Sequence, residues 1–487
     1  MKKAFFLFTV TTLFAVTTGW TMNLGDLWTQ IWNLEQQGEF SKTSTLISDY
    51  LRSEAGATLK GADKETLEYE IDRLYRIGRD YRKTPDEVYA QLTADVKGMN
   101  QEEFQKLIDT GYLDWRTIDG NLRFFNAAKS NLFIRYPEYV ARKITPMAPN
   151  HEVIAWNFYQ KAKEAAKNSS SPYVLPQKYQ MKMTITVKPD VVEDGKIIKC
   201  WMPFPREVAS QKDIKFISSD PEVKVLAPGD AWMRSAYFEK QAKKGEPTVF
   251  TLNYEYTGYG RFLLIDPAKV KPYKTQSAEY KKWTQERPPH VVFNRMLKEV
   301  SKEIIGNEKN PYLKAKKIFD WIAYNTRYSY AHEYSTIPCI PDFVLTKRYG
   351  DCGQHGMTFI ALCRYNGIPA RWQSGWSLRP GEENLHDWTE YYLEGYGWVP
   401  CDPDMGVWVT SQNTELNEEQ SKLLREYYCG NIDHYRLIVN NDHSQPLIPA
   451  KKSFRSDTVD FQRAELECEG KNLYFDTFNY DLQVTRL

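Results

Sequence analysis

The chain has little charge of either sign to spare. Its 64 Lys and Arg nearly cancel 63 Asp and Glu, leaving a formal charge of +1 over 487 residues. Bulk charge therefore points neither to nucleic acid nor to an acidic membrane surface. Past residue 16 there is no apolar run long enough to span a bilayer, so stable membrane insertion is not expected. No repeat of fixed period is present. No Cys-x-x-Cys pair occurs, which leaves a zinc or redox site with little support. EF-hand-like carboxylate spacing is absent too, and no metal or cofactor is expected. Cysteine is sparse, at seven residues: Cys200, Cys339, Cys352, Cys363, Cys401, Cys429 and Cys468. In an exported chain an odd count leaves at least one thiol unpaired.

Aromatic residues, by contrast, are abundant at 14 %, with 32 Tyr and 14 Trp, which fits β-rich packing or a binding surface. The length allows two to four domains. Lys2-Lys3 followed by the apolar run Ala4 to Val16 reads as a secretory signal peptide over residues 1–21, cleaved between Thr17 and Met22. The expected location is periplasmic, cell-surface or extracellular. Residues 22–168 read as a helical domain. Leu27, Ile31 and Leu34 form one stripe. Thr84-Pro85-Asp86-Glu87 is a helix start with capping box and first-turn proline, and Asn100 to Glu103 repeats the box. A last helix begins near Asn150. Asn168 to Pro172 is a linker by composition. Beyond it Tyr179, Met181, Met183, Ile185 and Val187 alternate, as do Phe250, Leu252, Tyr254 and Tyr256, so 173–275 reads as a β-sandwich domain. Residues 280–487 form a third domain, opened by helices after Pro288-Pro289. The C-terminal strands Val459-Asp460-Phe461 and Leu473-Tyr474-Phe475 are assigned to that domain, because no linker precedes them.

The third domain carries the chemistry. Gly350-Asp351 turns into a helix that begins at Cys352, shows Phe359, Leu362 and Cys363 on one face, and stops at Asn366-Gly367. The unpaired N–H groups and the dipole at such a helix start favour an anion, so the thiol is expected to ionise below the free value of about 8.5. Further on, His386 to Tyr392 and Trp398 to Asp402 read as two strands of a hairpin around Gly395-Tyr396-Gly397. A turn of odd length centred on Glu394 makes His386 and Asp402 direct cross-strand partners, Cβ atoms about 5 Å apart. Pro400 places the return strand at an irregular or edge position. A cysteine nucleophile needs a base, and the base an orienting acceptor.

Gly350-Asp351-Cys352, Asn366-Gly367-Ile368-Pro369-Ala370-Arg371, His386-x-Trp388-x-Glu390 and Trp398-Val399-Pro400-Cys401-Asp402-Pro403, in that order, resemble the transglutaminase-like superfamily, in particular bacterial secreted cysteine proteases of that type. The matched stretch runs from about Tyr312 to Asp404. The resemblance implies a papain-like α/β core within a multidomain α+β chain. It implies Cys352 as nucleophile, His386 as base and Asp402 as orienter, with Tyr328 placed by position to help bind the oxyanion. The segment Trp201-Met202-Pro203-Phe204-Pro205 is similar to β-domains that precede such cores.

Three functions stay open. A thiol hydrolase would cleave a peptide or amide bond through an acyl-enzyme, with an extracellular peptide, cell-wall peptide or glycoprotein linkage as substrate. A protein-glutamine acyltransferase would resolve the same intermediate with an amine. An inactive scaffold would do neither. His355, roughly one helical turn beyond Cys352, is expected on the helix surface or in a cap, and His332-Glu333 is a weak metal pair. Oligomeric state is not legible.

Overall fold

The computed structural model describes residues 22–145, 152–411 and 415–487. The expected signal peptide and the start of the helix near Asn150 lie outside these residues. The contacts divide the chain into two compact units. The first comprises the described residues up to Gly78 together with Arg116–Arg123; the second holds the rest.

The first unit is built on helices Leu24–Gln36 and Phe40–Arg52 and most of Gly61–Asp80. Leu27, Ile31, Ile47, Tyr50 and Leu67 close its small core. Arg73 reaches Glu35 at 2.6 Å and Glu70 at 2.7 Å, tying two of the helices together.

The division falls inside the stretch expected to be one helical domain. The later helices of that stretch are packed elsewhere. Helix Glu152–Lys167 buries Ala155, Phe158, Tyr159 and Ala162 in the same cluster as the helix that starts at Cys352. Arg135 on helix Ala128–Arg135 grips Asp114 at 2.7 and 2.9 Å and the Ser329 hydroxyl at 2.7 Å. Helix Pro85–Asp95 does carry the Thr84–Glu87 capping box, and Asn100 caps Gln101–Asp109.

Three sheets organise the second unit. A five-stranded sheet runs Lys471–Leu473, Glu465–Cys468, Ile197–Pro203, Ser235–Gln241, Val225–Leu226. A four-stranded sheet runs Phe478–Arg486, Tyr173–Val187, Thr248–Arg261, Gln211–Asp220. Both turn their apolar faces into one cluster, where Met181, Met183, Phe250 and Leu252 meet Cys200, Phe238 and Leu466. The C-terminal strands therefore belong to these sheets and not to the core sheet as expected. Leu466 pairs with Cys200 and Tyr480 with Ile185 across more than 260 residues of chain. Their alternating apolar residues complete the two inner faces, a partnership that local pattern does not reveal. Val459-Asp460-Phe461, expected as a strand, is irregular.

The third sheet is the frame of the site. Its order is Gly397–Cys401, Asn384–Leu393, Ala370–Ser377, Arg436–Asn440, all antiparallel. Pro400 sits on its edge strand, where a missing N–H is tolerated. Helix Cys352–Tyr365 lies against it and is buried along nearly its whole length. Gly367, at φ +72°, turns the chain out of that helix.

Candidate active site

Asp351 caps the central helix. Its carboxylate accepts the Gln354 N–H at 3.0 Å, and Gln354 returns a bond to the Asp351 backbone N–H, which leaves Cys352 as the first helical residue. The cysteine lines a cavity of about 370 Å³ together with His386, Tyr328, Arg379, Asp404 and Trp408. The residue thus borders open space, and its sulfur meets the Asp387 carboxyl rather than packed hydrocarbon.

His386 and Asp402 are brought together, but not as direct cross-strand partners. Leu393 faces Gly397 and Thr389 faces Cys401, so the hairpin is centred on Gly395, one residue later than expected. The three-residue turn Glu394–Tyr396 causes the shift. Continuing that register puts Trp388 opposite Asp402 and His386 one diagonal away on the same face. The imidazole spans the gap: Nε2 lies 2.8 Å from Asp402 Oδ2. This leaves Nδ1 as the other working nitrogen of the ring.

Asp402 is fully buried and held from three directions. Arg436 Nη1 stands 2.9 Å from Oδ2, and the Met405 N–H donates to Oδ1 at 3.0 Å. Burial alone would raise its pKa, but His386 and Arg436 outweigh it and hold the carboxyl well below the usual range. Arg436 is anchored in turn by Asp433 at 3.2 Å. The sequence shows Arg436 only as part of a strand start. Nothing local marks it as the cation of this site.

Cys352 departs from expectation in its acidity. Its thiol is pushed up, not down, by burial first and then by Asp387, Asp351 and Asp404. Its hydrogen bond runs from Sγ to Asp387 Oδ2 at 3.6 Å rather than to His386. The helix start favours a thiolate, but burial first, and three carboxyl groups from three different segments after it, outweigh it. Asp387 is the residue that sequence reading passed over. Its adjacency to His386 was visible; its position beside the sulfur was not. Gly353 makes the approach possible, because a Cβ there would lie 2.1 Å from the Tyr334 hydroxyl and 2.6 Å from Asp387 Oδ2.

Tyr328 pairs in parallel with Gly350 and lines the Cys352 cavity, its ring 4.8 Å from that of Trp408. Its phenol is pushed up by burial and by the neighbouring Cys352. His355 is not on a helix surface as expected. It is fully buried, with Nδ1 2.9 Å from Asp404 and Nε2 3.1 Å from Thr326. Among the described residues no group of His, Cys, Asp or Glu is arranged to hold a metal ion. All seven cysteines are present as free thiols. No helix among the described residues is long and apolar enough to cross a membrane.

Residues 298–403 match the family model of the transglutaminase-like superfamily. An uncharacterized protein of Haemophilus influenzae is 25 % identical over 324 residues, covering 59 % of this chain and 86 % of that protein. The uncharacterized protein YebA of Bacillus subtilis is 26 % identical over 138 residues, covering 24 % of this chain and 19 % of its own. Among solved structures, a proposed cysteine protease from Cytophaga hutchinsonii is 17 % identical, with a TM-score of 0.41 over 65 % of this chain and 92 % of that one.

Proposed function

We propose, from the match of residues 298–403 to the transglutaminase-like superfamily model, that the chain is an exported thiol hydrolase acting on peptide or amide bonds, with Cys352, His386 and Asp402 as its catalytic residues. The observation that carries the reading is the shared cavity. Cys352 and His386 both line it, and Asp402 holds the imidazole at Nε2.

In this mechanism the Cys352 sulfur attacks the scissile carbonyl. The resting thiol is neutral, so its proton passes to His386 Nδ1 as the C–S bond forms. Asp402, kept ionised by Arg436, stabilises the imidazolium. The oxyanion meets the Cys352 backbone N–H at the helix start, and the Tyr328 phenol stands in the same cavity. His386 then returns the proton to the leaving amine. Water, deprotonated by His386, attacks the acyl carbon; the C–S bond breaks, and the sulfur recovers its proton.

The apolar run after Lys2-Lys3 supports export, and an extracellular peptide, cell-wall peptide or glycoprotein linkage is the substrate class this implies. The test is a peptide and amide library incubated with wild type, Cys352→Ala and His386→Ala. Cleavage by wild type alone is expected. Equal cleavage by Cys352→Ala would end the reading, and so would the absence of any Cys352-dependent product.

A further inference from the structure

Strand alternation turns His386 and Asp387 to opposite faces. Each lines a different cavity, and Cys352 lines both. The second cavity, about 240 Å³, differs from the first in charge. Glu333, Asp351, Asp387, Asp457 and Asp460 all line it. Against them stand His332, whose Nε2 meets the Tyr81 hydroxyl at 2.9 Å, and Arg463. The guanidinium is already committed. It forks onto Glu333 at 2.8 and 2.9 Å and reaches Asp457 at 3.3 Å.

Among the described residues Asp351, Asp387 and Asp460 form no ion pair, although Arg463 faces Asp460 and the Gln462 amide donates to Asp387 Oδ1 at 2.7 Å. The Tyr334 hydroxyl lies 2.8 and 2.9 Å from the two Asp351 oxygens and 3.1 Å from Asp387 Oδ2, yet it has one proton to give. Asp460 faces both Asp457 and Asp387. It is 3 % exposed, and its Oδ1 has no hydrogen-bond partner. Carboxyl groups set this close cannot all ionise unless a cation sits among them. In the unliganded protein protons fill that place only in part: burial, then the surrounding carboxylates, pushes Asp387 and Asp460 far up, while Asp351, pushed up to about 6, keeps its charge at neutral pH.

We propose that this cavity binds the primary ammonium group of a substrate beside Cys352, with Asp387 and Asp460 as acceptors and the Tyr330 and Tyr334 rings as walls. An ammonium has three donors and no acceptor, which matches a site made of carboxyl oxygens. Aromatic faces add cation–π attraction. The inference rests on the reading of Cys352 as nucleophile, and it narrows the substrate to one that presents an amine within reach of the sulfur.

The amine has two possible sources. It is either the substrate's own amino group near the scissile bond or that of an acyl acceptor. In the acceptor case the ammonium loses two protons as its nitrogen bonds to the acyl carbon and the C–S bond breaks. One returns to the Cys352 sulfur, and the other leaves through His386 to solvent.

The first test needs no substrate. Cys352 is labelled with cationic 2-aminoethyl, neutral methyl and anionic 2-sulfonatoethyl methanethiosulfonate, and its modification is followed by peptide mapping. The cationic-to-anionic rate ratio should exceed that of N-acetylcysteine amide by at least about tenfold, the size expected of one uncompensated charge a few ångströms away in partly polar surroundings. Asp460→Asn should cut that excess severalfold. In wild type, methylammonium should protect Cys352 from the neutral reagent and acetamide should not, a readout that stands even where Asp460→Asn fails to fold. A ratio equal to that of the small thiol, or no protection by methylammonium, overturns the inference.

The second test separates the sources. Faster cleavage of peptides with a free amino group than of their acetylated twins assigns the amine to the substrate. Saturable incorporation of a labelled primary amine from an acyl ester assigns it to an acceptor. Cys352-dependent turnover showing neither overturns the ammonium site and spares the nucleophile. Turnover that survives Cys352→Ala overturns the nucleophile, while the reagent ratio still reports on the cavity.

Discussion

His386 and Asp402 stand one diagonal apart on the same face of their hairpin, and the reach of the imidazole brings Nε2 to 2.8 Å from Oδ2. Arg436, 2.9 Å from the same oxygen, keeps that carboxyl charged although it is fully buried. Asp402→Asn keeps the shape and removes the charge that stabilises an imidazolium. We expect kcat on any Cys352-dependent substrate to fall by about 10²- to 10⁴-fold, with KM little changed. Steady-state kinetics on a substrate found in the library screen check this; an unchanged kcat would remove Asp402 from the mechanism.

Asp402 also bears on stability. Asp402→Ala leaves Arg436 buried with Asp433 as its remaining carboxylate partner, and breaking a buried ion pair from one side costs about 3–5 kcal/mol. Chemical denaturation should show a loss of that order. Arg436→Met should cost less than Arg436→Ala, because the longer side chain still fills the space over the Trp388 ring, whose centroid is 5.1 Å from the guanidinium. Equal losses would mean that charge, not packing, dominates there.

Labelling of Cys352 with iodoacetamide at pH 7 should be slower than that of a free thiol. Its proton is held by burial and by Asp387, Asp351 and Asp404. The labelling rate should still be climbing above pH 9. Asp387→Asn removes the carboxyl 3.6 Å from the sulfur, whose charge develops only as the pH rises, and should shift that profile to lower pH. A thiol that titrates below 8 in wild type would contradict the geometry.

Much of this arrangement is visible in the sequence because its signals are local. Asp351 and Gln354 write the helix start that exposes Cys352; alternation and the turn around Gly395 write the hairpin that carries His386 and Asp402. The centre of the hairpin falls one residue later than expected, because Glu394–Tyr396 form its turn, and each residue's partner therefore moves by two. What stayed hidden is made by distant segments. Arg436 reaches Asp402 from a strand 34 positions on. The sulfur is buried, and Asp351, Asp387 and Asp404 surround it from a cap, a strand and a helix, which together reverse the acidity expected of a helix-start cysteine. The strands Glu465–Cys468 and Phe478–Arg486 pair with Ile197–Pro203 and Tyr173–Val187, more than 200 residues earlier.

Two glycines set limits on repacking, and they should respond differently. At Gly353 an added Cβ would press on the ends of the Tyr334 and Asp387 side chains, which can swing away. At Gly375, directly across from His386, it would lie 1.8 Å from the Leu437 carbonyl oxygen, which is backbone. Overpacking costs about 1–3 kcal/mol where neighbours can shift. Gly353→Ala should fall in that range while altering the Cys352 labelling profile through Asp387. Gly375→Ala should be the more destabilising of the two, because the adjacent strand Arg436–Asn440 must move. Thermal unfolding of both variants decides it, and a milder effect at Gly375 would place the strands further apart than the structure does.

The pH dependence of stability should show two opposed arms. Asp402 has a depressed pKa, so its stabilisation is complete above the unfolded value near 4 and is lost as pH falls below it. Asp351 behaves in the opposite way. Burial first, and the Asp404 carboxylate after it, push its pKa up to about 6, although the Gln354 N–H and the Tyr334 hydroxyl oppose them. Asp80, buried beside Glu333, is pushed up to about 8. Between pH 4 and these values the folded chain binds more protons than the unfolded one, so stability falls as pH rises. The maximum should therefore lie on the acid side of neutrality, near pH 4–5. Asp351→Asn carries no titrating proton and keeps an acceptor for the helix cap; it should flatten the slope between pH 4 and 6 without moving the acid limb. Urea unfolding at a series of pH values measures both arms, and a stability that climbs steadily from pH 4 to 8 would mean these carboxyl groups are ionised in the folded chain.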